Sequence, residues 1–220
     1  MAKIILLVSV RSGSGQSTTA VNLASGLARK GYRVLVAEKG KNSKLRTWLS
    51  IDQDEHFMNE TSLVMTIAQM GFDFWGMEKT DIIPDQLSHS YDYIILLPAS
   101  ASDCITVQHL SDHTIVCSDL NRKDASAEVI SFDRDYRIRQ SNTGIIDLIV
   151  LNKVNTKEWH HNAENFSLLT DYFGCERIAD PIPHCERIHD LPLDGHTVWE
   201  LSQDNLRDAF MRLTETVVSL

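Results

Sequence analysis

No stretch of this chain is apolar for long enough to cross a membrane as a helix, so a helical membrane span is not expected. Cysteine is sparse: Cys104, Cys117, Cys175 and Cys185 are scattered rather than set at disulfide spacings. That argues against a disulfide-stapled scaffold and suits a reducing, cytoplasmic setting. Positive charge is also short, with 21 Lys and Arg against 30 Asp and Glu and a net charge of −9. A globally basic nucleic-acid binder is thereby excluded, whereas a local basic patch is not. Nor is there the bias of a disordered or collagen-like chain. With 220 residues, 43% of them hydrophobic, one domain over 1–220 has enough material for a substantial core.

What is present is alternation. Short, nearly continuous apolar runs at 4–9, 33–37, 93–97, 113–117 and 145–151 read as strands covered on both faces. The segments 17–30, 61–70, 101–110, 121–131, 160–173 and 202–218 read as helices, although 45–88 is the hardest part to parse. The first run, Ile4 to Val8, leads into Arg11 and a glycine turn without a small-residue cleavage site, so it reads as a buried strand rather than a signal peptide. Strands alternating with helices predict an α/β fold: a doubly wound, mostly parallel sheet of seven or eight strands with helices on both faces. In such sheets ligands bind beyond the carboxyl ends of the strands, where loops at 10–17, 38–44, 97–103 and 152–156 gather.

The first of those loops carries the chemistry. Val10-Arg11-Ser12-Gly13-Ser14-Gly15-Gln16-Ser17-Thr18 joins a strand to a helix, the setting of a phosphate-binding loop. Gly13 and Gly15 let the backbone turn tightly enough to aim N–H groups at an anion, and the helix start adds partial positive charge. Ser17 offers a hydroxyl for magnesium. Two parts are missing: Val10 stands where a full motif has glycine, and Gln16 where it has the lysine that neutralises the β- and γ-phosphates. Glutamine donates hydrogen bonds without bringing charge, and a hydrogen bond to a charged group is worth roughly 1.5–3 kcal/mol.

Together with Thr19-Ala20-Val21-Asn22-Leu23-Ala24 and Lys30-Gly31-Tyr32-Arg33-Val34-Leu35-Val36, this loop resembles that of the ParA/MinD family of deviant Walker ATPases. Ser90 to Pro98 resembles the family's Walker B strand, Ser111 to Cys117 the next strand, and Asp147 to Val154 the strand whose asparagine meets adenine. The resemblance implies a P-loop NTPase-like fold binding ATP or ADP with magnesium. Arg11, Gly13, Ser14, Gly15, Gln16, Ser17 and Thr18 would surround the phosphates, Asn152 and Pro183 the base, and Ser17 the metal. It also implies a homodimer or a protein partner, with Arg11 in the place of the signature lysine that crosses a nucleotide-sandwich dimer. Charge is kept there, but a planar fork replaces a point charge.

The departures set the functional expectation. The family's Walker B aspartate is replaced by Leu96 and Leu97. Of its two aspartates after the second strand, the latter orienting the attacking water, this chain has Glu38 and Gly40. Glu38 is left as the single candidate for handling water. Losing charge and positioning together removes most of phosphoryl-transfer catalysis. The reading is a positioning or partition protein with a degenerate site, a pseudo-ATPase scaffold. Two alternatives stay open: a slow ParA-type ATPase that segregates DNA or cargo, with Lys39 or Lys41 supplying phosphate charge, and a P-loop ligase of the dethiobiotin-synthetase kind.

Lys39, Lys41, Lys44 and Arg46 form a basic cluster that could touch DNA non-specifically, with a solvated loop as the default. The repeated Cys-Glu-Arg-Ile at 175–178 and 185–188, beside His184 and His189, matches no zinc spacing. Leu206, Phe210, Leu213 and Val217 form an apolar helical stripe, read as packed on the sheet rather than on a membrane.

Overall fold

The computed structural model describes residues 1–40, 43–51, 64–77, 80–139, 146–155, 157, 159–202 and 204–220. Seven strands, β1 (Lys3–Ser9), β2 (Val34–Lys39), β3 (Val64–Ile67), β4 (Phe72–Gly76), β5 (Tyr93–Pro98), β6 (His113–Asp119) and β7 (Leu148–Asn152), form one sheet in the order β3-β4-β2-β5-β1-β6-β7. Every neighbouring pair is parallel except β3 with β4. The fold is therefore the doubly wound, mostly parallel sheet that the alternation implies.

Both faces are covered because the central strands alternate apolar side chains between two cores. Ile5, Leu7, Val34 and Val36 enter one, while Leu6, Val8, Leu35 and Ala37 enter the other. The first core is closed by α1 (Gln16–Arg29), α2 (Ser43–Trp48), α7 (Leu191–Asp194) and α8 (Asp204–Ser219). The second is closed by α4 (Ala101–Val107), α5 (Ala125–Arg139) and α6 (Trp159–Phe173); α3 (Asp85–Ser90) leads into β5. The stripe Leu206, Phe210, Leu213 and Val217 on α8 is fully buried in the first core, each such side chain contributing roughly 1.5–3 kcal/mol. Among the described residues no helix is long and apolar enough to cross a membrane.

Two expectations are corrected. The helix expected at 61–70 is not formed over its described part: Val64–Ile67 is the edge strand β3, antiparallel to β4. Its four apolar-leaning residues suit either period, and a turn in which the N–H groups of Met70 and Gly71 donate to Ile67 returns the chain into the aromatic strand Phe72–Gly76. Helix α5 runs on to Arg139 rather than stopping near 131, because Asp133 and Tyr136 are buried on its inner face and Arg137 pairs with Asp133 one turn back.

Candidate functional site

The turn between β1 and α1 keeps the geometry of a phosphate loop. Gly13 and Gly15 both take positive φ, and Gly15 caps α1 in the left-handed region at φ 92°. Asn152, at the end of β7, braces this turn from below. Its Nδ2 donates to the Ser14 carbonyl at 2.9 Å and to Thr19 Oγ1 at 3.3 Å. A Cβ on Gly15 would stand 2.6 Å from that Nδ2, so only glycine lets the backbone sit on the asparagine. Beneath both lies Cys117, whose thiol is pushed up to about 12 by burial, against hydrogen bonds with Thr19 and Asn152. The resemblance gives Asn152 to the adenine base; in this structure its buried amide serves the loop.

The charged and amide side chains around the frame are engaged elsewhere. Gln16 turns back toward the sheet, donating from Nε2 to the carbonyls of Leu7 at 2.8 Å and Pro98 at 3.1 Å, while Ser9 Oγ donates to its Oε1 at 3.4 Å. It thus ties the carboxyl ends of β1 and β5. Arg11 pairs with Glu128 on α5 at 2.7 Å. Leu96 and Leu97 are buried in opposite cores, so the end of β5 presents no carboxylate.

At the exit of β2 the expectations need correction. Glu38 is fully buried, with Arg46 Nε 2.6 Å from its Oε2, and the Arg46 guanidinium also lies over the Phe74 ring. A carboxylate enclosed in this way does not reach a substrate water. Lys39 is buried too, donating to the carbonyls of Met77 and Thr80 and pairing with Asp81 at 2.6 Å. The cluster expected to face DNA or phosphate is therefore not a surface patch: Lys39 and Arg46 are structural, Lys44 is exposed on α2, and Lys41 lies outside the described residues. Beside Gly40 the chain holds a carboxylate that the sequence reading missed. A Cβ at position 40 would meet Asp103 Oδ2 at 2.6 Å and the Ala99 Cβ at 3.0 Å. Asp103 is fixed there by α4's N-cap, its N–H donating to Ser100 Oγ at 3.1 Å and its Oδ2 accepting from that hydroxyl at 2.6 Å. The Ser100-x-x-Asp103 capping pattern was the available signal.

Above the loop opens a cavity of about 950 Å³. All the loop residues named as phosphate contacts line it except Ser14, which is buried, and Pro183 and Asn152 close another wall. Lys44 and Lys153 also border it, Lys153 being paired with Asp119 at 3.0 Å. No group of three or more His, Cys, Asp or Glu suited to a metal occurs among the described residues. The frame turns its backbone toward the cavity, and Arg11, Lys44 and Lys153 bring positive charge to the border.

Comparison with known proteins agrees with this geometry. Residues 5–198 match the CobQ/CobB/MinD/ParA nucleotide binding domain, so the chain belongs to that family. No curated protein matches it in sequence. Among solved structures it is similar to a putative plasmid partition protein of Borrelia burgdorferi B31 bound to AMPPNP, at TM-score 0.75 and 18% identity over 100% of this chain and 99% of that one. It is similar also to MinD in the MinC:MinD cell division complex of Aquifex aeolicus, at TM-score 0.81 and 15% identity over 100% and 97%. Apo McdA of Cyanothece gives TM-score 0.79 and 18% identity over 99% and 100%.

Proposed function

We propose that this chain is a positioning or partition protein of the ParA/MinD type whose nucleotide site no longer hydrolyses ATP, and that it acts as a scaffold through a protein partner or a second copy. The observation that supports this most is Gln16: the side chain at the phosphate-lysine position carries no charge and has both amide hydrogens committed to strand carbonyls. The slow-ATPase alternative needs substitutes, and two it would draw on, Glu38 and Lys39, are buried in ion pairs. ADP or ATP held by the loop backbone is compatible with the reading, since one similar structure is bound to AMPPNP and another is a complex with MinC. DNA contact through Lys39 and Arg46 is not part of it.

The test is turnover. Purified protein with Mg-ATP releases phosphate no faster than a Gly15→Val control, and Gln16→Lys raises nucleotide affinity more than it raises turnover, because no carboxylate ends β5. Sedimentation with and without Mg-ATP gives the same oligomeric state. Turnover that Gly15→Val abolishes, or a monomer-to-dimer shift driven by ATP, would favour a working nucleotide switch instead.

A further inference from the structure

Two arginines from different loops converge on one carboxylate beside the phosphate loop. Glu128, in the first turn of α5, is 15% exposed. Arg11 Nη2 lies 2.7 Å from its Oε1, and Arg122 Nε lies 3.7 Å from its Oε2. Both carboxylate oxygens are shielded from water, yet neither receives an aligned hydrogen bond within the described residues. The contact is therefore one of charge, without the directed bonds that lock a bidentate pair. Arg11 lines the cavity, as does Phe132 one turn further along α5, so this carboxylate stands at the edge of the space an anion would enter.

A guanidinium receives a carboxylate and a phosphate through the same donors, so one occupant excludes the other. We infer that Glu128 is an internal competitor for the anion at the phosphate loop: it occupies the Arg11 guanidinium at the edge of the cavity and sets the affinity of the site for polyphosphates. This rests on reading the cavity as a degenerate nucleotide site, but on its capacity to bind alone. An incoming polyphosphate must draw the half-exposed Arg11 off a carboxylate that water reaches poorly. Glu128 is then left facing only the more distant Arg122. The resulting cost falls on every anion that recruits Arg11, and it vanishes when the carboxylate loses its charge.

The experiment is a double-mutant cycle read by calorimetry, with Mg-ADP and inorganic pyrophosphate as probes. Glu128→Gln, which keeps shape and removes charge, binds either probe about tenfold tighter than the parent protein, equivalent to about 1.4 kcal/mol. Arg11→Gln binds no tighter than the parent, and adding Glu128→Gln to it gains less than about twofold, because the effect runs through Arg11. Equal gains in both backgrounds would reveal a general field of negative charge and overturn the inference. So would an unchanged affinity, or no binding by any variant up to millimolar probe. If Glu128→Gln fails to fold, Glu128→Asp, which withdraws the carboxylate by one carbon, gives an intermediate gain in the same cycle. ATP turnover by any of these proteins bears on the scaffold reading and leaves the affinity result standing.

Discussion

The exits of β1 and β2 lie one strand apart at the same edge of the sheet, and they are built in opposite ways. At β1 the chain works with its backbone: Gly13 and Gly15 turn it, Asn152 braces it, and the side chain of Gln16 is folded back as a tie. At β2 it works with charge: Glu38 and Arg46 pair out of water, and the buried Lys39 reaches out to the exposed Asp81. One exit is held by backbone turns and amide contacts. The other keeps charge and gives it to the fold. Gln16, Glu38 and Lys39, three side chains that the family resemblance singles out, are thus tied into internal contacts.

The largest test of this contrast is Arg46→Met. It leaves the Glu38 carboxylate buried without its Arg46 partner, and breaking a buried pair from one side costs about 3–5 kcal/mol. Urea unfolding of Arg46→Met reads that loss, and the double variant Glu38→Gln/Arg46→Met recovers most of it, since two neutral side chains need no mutual charge. A loss below about 1 kcal/mol, the range of an exposed pair, would return these residues to the surface cluster that the sequence suggests.

At the β1 exit the corresponding test separates two glycines with nearly the same φ. A Cβ on Gly13 meets nothing within 4 Å, whereas one on Gly15 runs into Asn152. Gly13→Ala carries backbone strain alone, about 1 kcal/mol, and Gly15→Ala adds displacement of the brace, for about 2–3 kcal/mol in total. Equal losses for the two would mean that Asn152 yields freely and that the loop is not held from below.

What was legible follows from the same division. The sheet could be read because its strands are continuous apolar runs, and the loop because glycine spacing is a local signal. The edge hairpin β3–β4 was not legible, since four residues fit a helix as well as a strand until the pairing with Phe72–Gly76 decides. Partnering was the part the sequence hid. Nothing local joins Arg46 to Glu38, Arg11 to Glu128 or Asn152 to Ser14, because each pair meets only after separate elements pack. Gln16 was readable as a missing charge, but its attachment to Leu7 and Pro98 depends on β5 lying next to β1.

The smallest effect lies beneath the loop. Cys117 keeps its proton up to about 12 in the folded protein, against 9.0 for an ordinary thiol, because burial disfavours the thiolate more than Thr19 and Asn152 support it. Above pH 9 the unfolded chain therefore releases a proton that the folded one retains. The stabilisation is complete below pH 9 and is lost as pH rises from 9 toward 12, by at most about 1.4 kcal/mol per pH unit. Cys104, raised to about 11 by burial, acts in the same direction, and other groups titrate in this range as well. The difference between the parent protein and Cys117→Ala isolates the one thiol. Between pH 9 and pH 10 the parent loses about 1 kcal/mol more than the variant in urea unfolding. In parallel, a thiol reagent at pH 8 modifies exposed Cys175 at once and Cys117 only on unfolding. Identical slopes for the two proteins, with Cys117 labelled in the native state, would show that water reaches the underside of the loop, and the contrast between a sealed β1 frame and the charged β2 exit would fail at its base.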